Sequence, residues 1–288
     1  MATVLTALVL VGGTSIALNY RSTIATVDQM MSQTAVLAAE RIQQELTAYA
    51  NVAMDTGCIA QLSDPEVPVA EKRAVIDERA AMHGFQRGNI IGADGLSIFD
   101  GKDYSDREYV QQAMGGRVYV SEPLVSKITG ELSIMVAAPL YDGGNKDAGI
   151  VGVVYFVPPE TFLNDIVSSI KVSQNSRTYM INKNGDTIAD VTLDTITTQN
   201  VERDAQNDRS LKELAAIHGE MRQGRNGFGS FHDADGPRYA AYAPVEGTDG
   251  WSVAVTAMKK DYLTDTYIGI LIDILVVLAS ALASIVVA

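Results

Sequence analysis

Three rhythms of apolar and polar positions follow one another along this chain, and each predicts a different kind of element. Met1 to Leu18 carries no charged side chain, and a helix of that length reaches about 27 Å, close to the thickness of a bilayer core. From Tyr20 to Ala60 no proline intervenes, and Ile24, Val27, Met31, Ala35, Ala38, Ile42, Leu46, Tyr49 and Ala53 recur three and four residues apart. That spacing predicts one amphipathic helix reaching about 60 Å. Asp64-Pro65 and Pro68 then open a second helix, which carries Val75, Ile76 and Ala80 and stops at Gly84.

Beyond Gly84 the period shortens to two and the elements become strand-like. Strands are predicted at Gln86 to Ile91, Leu96 to Phe99, Leu132 to Ala138 and Gly149 to Phe156. Asp106 to Met114 reads as a short helix stopped by Gly115-Gly116, and Pro158-Pro159 opens another that runs to about Ile170. Further strands follow near Arg177 to Ile181, Gly227 to His232, Arg238 to Ala243 and Trp251 to Met258. Tyr267 to Ala288 is apolar apart from Asp273 and forms a second candidate span. The sequence ends within that segment, so the natural protein is expected to continue beyond Ala288.

Part of this pattern repeats. Gly95-Leu96-Ser97-Ile98-Phe99-Asp100 has a counterpart in Gly185-Asp186-Thr187-Ile188-Ala189-Asp190, a shared G-x-[ST]-I-x-D. Ala138-Pro139-Leu140 is echoed by Ala243-Pro244-Val245, each before a Gly/Asp turn and a final strand. Two echoes in the same order predict two related mixed modules in series, each with an antiparallel sheet. The expected fold class is therefore α+β: a long N-terminal helix and two tandem PAS-like modules, flanked by two transmembrane helices. The boundaries read as span 1–18, stalk helix 19–60, membrane-distal module 61–166, membrane-proximal module 167–266 and span 267–288.

Composition narrows the function. With 47% hydrophobic and 20% charged residues the chain can bury a sizeable core. A net charge of −13 argues against nucleic acid as a partner. Cys58 is the only cysteine, so no internal disulfide forms, and it reads as a small buried apolar residue. Sequence signatures of hydrolases and of paired Cys/His metal sites do not occur, and His83, His218 and His232 fall on separate elements. The chain therefore reads as no enzyme, with no catalytic residue, metal or cofactor.

The candidate chemistry lies between Asp103 and Pro139. Tyr104, Arg107, Tyr109, Ser126 and Lys127 combine cations, hydroxyls and aromatic faces in one short stretch, a mixture suited to a small anionic or zwitterionic ligand. Arg107 either pairs with Asp103, Asp106 or Glu122, or clamps a ligand carboxylate with its planar fork.

The order D-Y-S-D-R-E-Y before a short helix, with T-G-E-L before an A-A-P strand, resembles the extracytoplasmic double Cache sensor domain of bacterial transmembrane receptors. The resemblance covers nearly the whole chain. It implies a PAS-like fold for both modules and a homodimeric receptor that binds a small molecule in the membrane-distal one. It also implies a cytoplasmic output module, which is most often of the methyl-accepting chemotaxis type, with histidine kinase or diguanylate cyclase output as alternatives. In amino-acid-binding members a comparable arginine is followed two residues later by an aromatic, a place that Tyr109 fills. The next position is Val110 where those receptors carry tyrosine, and their acidic residue on the strand ending the module falls at Val154 or Tyr155 here. The ligand-binding set is thus Arg107, Tyr109, Tyr104, Ser126, Lys127 and Tyr155, for a carboxylate or an amino-acid-like molecule. The expected location is the cell membrane, with residues 19–266 extracytoplasmic. A membrane-anchored hydrolase and a purely structural dimerisation domain are the readings from other classes.

Overall fold

The computed structural model describes residues 2–159 and 161–287. Its first element, α1 (Ala2–Gly57), is a single helix that joins the uncharged N-terminal stretch to the predicted stalk without a break. Then come α2 (Ala60–Ser63), α3 (Val69–Met82), β1 (Arg87–Gly92), α4 (Glu108–Met114), β2 (Tyr119–Val120), β3 (Leu124–Val125), β4 (Leu132–Ser133), β5 (Val136–Tyr141) and β6 (Ile150–Val157). The second half holds α5 (Phe162–Ser169), β7 (Arg177–Ile181), β8 (Thr187–Ala189), α6 (Val201–Asp204), α7 (Lys212–Arg222), β9 (Gly227–Asp233), β10 (Gly236–Pro244), β11 (Ser252–Met258) and α8 (Lys260–Val287).

The strands form two main antiparallel sheets, ordered β1-β6-β5-β2 and β8-β7-β11-β10-β9, while β3 and β4 make a small separate hairpin. Both sheets hang on α1. Val27, Met31, Ala35, Ala38, Ile42 and Leu46 pack on Ala241, Ala243, Val253 and Val255 of the second sheet. One level further along, Ala53 joins Ala138, Val154 and Phe156 of the first sheet. Side chains such as Met31 and Ile42, 0% exposed, contribute about 1.5–3 kcal/mol each by leaving water. The three-and-four spacing that predicts the helix is therefore also what attaches it to both sheets.

The period-two pattern gives each sheet a second covered face. In the first sheet Val154 and Phe156 point to α1 and α3, whereas Val153, Tyr155 and Val157 point to α4. Gly152 of the central strand β6 lies opposite Gly92, and a Cβ there would stand 2.4 Å from the Ile91 carbonyl oxygen. Gly152→Ala is expected to cost about 2 kcal/mol, because two main chains rather than a flexible side chain must separate. A urea midpoint equal to that of the parent would refute the crowding.

The sequence echoes fall on matching turns. Gly95 N–H donates to the Gly92 carbonyl and Gly185 N–H to the Asn182 carbonyl, both at 3.0 Å. Gly95 and Gly185 have φ of 81° and 85°, a conformation open to glycine at little cost. The stretch after each turn differs. Thr187–Ala189 forms β8, but the predicted strand Leu96 to Phe99 is reduced to bridges from Ser97 to Ile91 and from Leu96 to Asp103, because the chain turns away after Ser97. The strand predicted over Leu132 to Ala138 is likewise two strands, β4 pairing with β3 and β5 with β6 and β2. The helix predicted from Asp106 begins at Glu108, with Arg107 at its N-cap. Cys58 is only partly buried.

α8 follows β11 after a single residue and packs along α1. Thr23 and Thr266 hydroxyls lie 3.3 Å apart, and a Cβ on Gly12 would meet Val277 at 3.1 Å. Among the described residues one helix, Lys260–Ser280, is long and apolar enough to cross a membrane. The first expected span, Met1 to Leu18, is helical from Ala2, but Met1 and the side chains of residues 2–5 and 7–9 lie outside the described set, and two flanking spans are not shown.

Candidate functional site

The face of the first sheet that turns away from α1 carries the predicted residues. Tyr155 on β6, Tyr109 on α4 and Tyr104 just before α4 are only 1–2% exposed and meet in one cluster with Ile91, Val153 and Met135. The Tyr109 and Tyr155 rings are 5.2 Å apart in an edge contact, and Tyr104 and Tyr155 6.1 Å apart. Strand alternation thus decides between the two positions left open in the sequence: Tyr155 faces this cluster and Val154 faces α1.

Polar partners order the tyrosines. Asn89 Nδ2 donates to Tyr155 Oη at 3.3 Å, and Ser97 Oγ fixes Asn89 by donating to its Oδ1 at 3.0 Å. Tyr104 Oη donates to Asp100 Oδ2 at 3.3 Å. Burial pushes all three phenols above their ordinary range, so they act as neutral hydroxyls.

The segment from Val120 to Ile134 lies over this cluster. Ser126 is 3% exposed, and its Oγ accepts from Arg87 Nη2 at 3.1 Å and from the main-chain N–H groups of Ile128 and Thr129. Lys127 Nζ donates to the Asp103 carbonyl at 2.7 Å, pairs with Asp106 and stands 5.5 Å from the centre of the Tyr104 ring. Its hydrogen bond holds the Asp106 carboxyl below the usual carboxylate range. Lys102 Nζ donates to the Lys127 carbonyl at 3.1 Å, so two lysines fasten this segment to the turn before α4.

Arg107 lies at the rim. Its nearest carboxylate, Asp106, is 4.0 Å away, and the guanidinium donates no hydrogen bond among the described residues. Arg87, which sequence reasoning did not single out, lies on the first residue of β1, and its buried Nε has no partner among the described residues. Its signal was available in the repeat: Arg87 and Arg177 stand at the same distance before the two matching glycine turns. The arrangement brings together three neutral hydroxyls and two guanidiniums with unused donors, which suits a small carboxylate.

The corresponding face of the second sheet is covered by α7 and is polar in a different way. Tyr179 Oη lies 2.9 Å from His218 Nε2, and His218, only 1% exposed, keeps an Nδ1 without a partner among the described residues. His218 is therefore neither a surface nor a helix-end residue. The described residues hold no group of three or more His, Cys, Asp or Glu arranged to bind a metal ion.

The family model of the Cache domain, in its double form, matches residues 19–266. The chain belongs to the double Cache family. This double Cache chain is similar in fold to the ligand-binding domain of the Pseudomonas fluorescens chemoreceptor CtaA in complex with L-serine, with TM-score 0.65 and 15% identity over 82% of this chain and 99% of that one. It is also similar to that of the Campylobacter jejuni chemoreceptor Tlp3 in complex with 4-methylisoleucine, with TM-score 0.61 and 11% identity over 84% and 93%. A third likeness is to the extracellular domain of a protein assigned as a histidine kinase, rpHK1S-Z16, with TM-score 0.63 and 15% identity over 83% and 98%. No curated protein matches its sequence.

Proposed function

We propose that this double Cache chain is the extracytoplasmic sensor of a bacterial transmembrane chemoreceptor, binding a small carboxylate or amino-acid-like molecule and signalling across the membrane. The observation that carries the reading is the pair of guanidiniums, Arg107 and Arg87, which keep unused donors, Nε in the case of Arg87, beside the buried tyrosines Tyr104, Tyr109 and Tyr155. In this reading residues 61–166 form the membrane-distal module, 167–266 the membrane-proximal one and 19–60 the stalk. The chemoreceptor domains of similar fold, solved with amino acids, support the ligand class. The histidine kinase neighbour supports the alternative output on the same sensor.

Membrane insertion rests on the apolar helix Lys260–Ser280 and on Leu10, Val11 and Leu18 of α1, each more than 60% exposed. Leu37, 62% exposed on the stalk, supports pairing of two copies along α1. Arg107 would clamp the carboxylate, Ser126 would hold Arg87 in place, and Lys127 would anchor the covering segment.

The test is a calorimetric screen of amino acids and short carboxylates against the full chain in lipid nanodiscs. Arg107→Ala is expected to weaken the best ligand by about tenfold or more, the value of a charge-assisted hydrogen bond. Unchanged affinity in that variant would return Arg107 to a purely structural role.

A further inference from the structure

A second cavity, about 310 Å³ in volume, opens between the covering segment of the first sheet and the second half of the chain. One wall is Pro123, Leu132 and Ile134; the other is Leu163 on α5, Ile188 on β8 and Ile196 in the loop that follows. It is separate from the tyrosine cluster, none of whose members lines it. Ligand pockets are typically of this size and mostly apolar, with a few polar groups that orient the guest.

The polar groups in this cavity are unequal. Thr161 Oγ1 donates to Asp165 at 2.6 Å, and Asn164 Oδ1 accepts from the Asp190 main-chain N–H at 3.2 Å. Ser133, however, is 2% exposed and its Oγ has no partner among the described residues. A buried hydroxyl left unpaired costs about 1–3 kcal/mol. At the rim stands Glu131, exposed and without an ion pair among the described residues, and no Lys, Arg or His lines the cavity.

We propose that this cavity is a second ligand site, for a small and mainly apolar molecule with one hydrogen-bonding group and no negative charge. Ser133 Oγ supplies the polar contact, and the carboxylate of Glu131 disfavours anions. The guest class is the opposite of that expected at the tyrosine site. Because one wall belongs to the segment that carries Ser126 and Lys127, and the other to the second half of the chain, a guest here would bias the arrangement of the two halves. Any such bias on the tyrosine site is reciprocal.

The test uses two probes of matched shape, 2-phenylethanol and phenylacetate, titrated into the full chain in lipid nanodiscs by ligand-observed NMR. The alcohol is expected to bind saturably and phenylacetate about tenfold more weakly, since its charge would face Glu131. Ile196→Trp, which fills the cavity, is expected to remove alcohol binding. Ser133→Ala, which keeps the shape, is expected to weaken it by about fivefold, the value of one neutral hydrogen bond. Arg107→Ala is expected to leave it unchanged, which separates this site from the tyrosine site. The proposal is overturned if the alcohol fails to saturate, if both cavity variants bind it like the parent, if phenylacetate binds as well as the alcohol, or if Arg107→Ala removes its binding.

Discussion

A short run of glycines inserted between Met258 and Lys260 is expected to reduce ligand-dependent output to the unliganded level while leaving ligand affinity intact. The central strand β11 ends at Met258 and α8 begins at Lys260, so one residue joins the sheet to the helix that enters the apolar span. A ligand can shift an equilibrium only through its differential affinity for two arrangements, and a packed helix transmits a small displacement without unfolding. Flexible glycines would absorb that displacement. The base of α8 has one further attachment: Ser173 Oγ and Asn175 Nδ2 donate to the Asp261 carboxylate at 2.6 and 2.8 Å, and Tyr262 Oη donates to the Val172 carbonyl at 2.9 Å. The experiment therefore joins the sensor to a histidine kinase output and reads phosphorylation with and without ligand, in the insertion variant. Full ligand response there would show that the signal leaves through the Val172–Asn175 clamp or through α1 rather than through β11.

Acid is expected to destabilise the protein through His218, and His218→Gln to remove that effect. Burial lowers the His218 pKa from 6.5 to about 4. In the unfolded chain the imidazole takes up its proton near pH 6.5, while in the folded chain it stays neutral down to about pH 4. Its contribution is therefore complete above pH 6.5 and lost as pH falls from 6.5 toward 4, a decrease of about 3 kcal/mol across the window. Asp190 and Glu122 act in the opposite sense, because burial raises both carboxyls and the folded state then takes up their protons more readily than the unfolded one. The comparison of parent and His218→Gln isolates the histidine, since glutamine can keep a hydrogen bond to Tyr179. Parallel denaturation midpoints for the two proteins from pH 7 to pH 4.5 would rule out the mechanism.

Much of the candidate site was legible because the residues are close in sequence. Tyr104, Arg107 and Tyr109 sit on one short turn and helix, and local spacing is enough to bring them to one edge. Ser126 and Lys127 were legible as residues with donors, but their tasks were not. Only the fold shows that Lys127 is engaged with Asp103 and Asp106 and that Ser126 accepts from Arg87. Arg87 itself was missed, because its one signal is its place in the repeat, at the same distance before Gly95 as Arg177 before Gly185. His218, read only as one of three histidines on separate elements, likewise carried no local sign of its burial, since its partner Tyr179 lies on a strand 39 positions away in the chain.

The sequence by itself determined the elements whose cause is local. The apolar three-and-four rhythm from Ile24 to Ala53 requires a helix with one buried stripe, and the repeated Gly95 and Gly185 require two matching tight turns. It also determined that each sheet has two different faces, since neighbouring strand residues such as Val154 and Tyr155 must point opposite ways. Only the tertiary structure decided which face is covered by what: α1 takes the face of Val154, while α4 and the segment over it take the face of Tyr155. It also decided that Leu132 to Ala138 splits into two strands and that Leu96 to Phe99 does not extend as one. In both cases several pairings compete, from near neighbours such as Ser97 with Ile91 and Leu132 with Val125 to the more distant partners of β5 on β6, and packing rather than local propensity chooses among them.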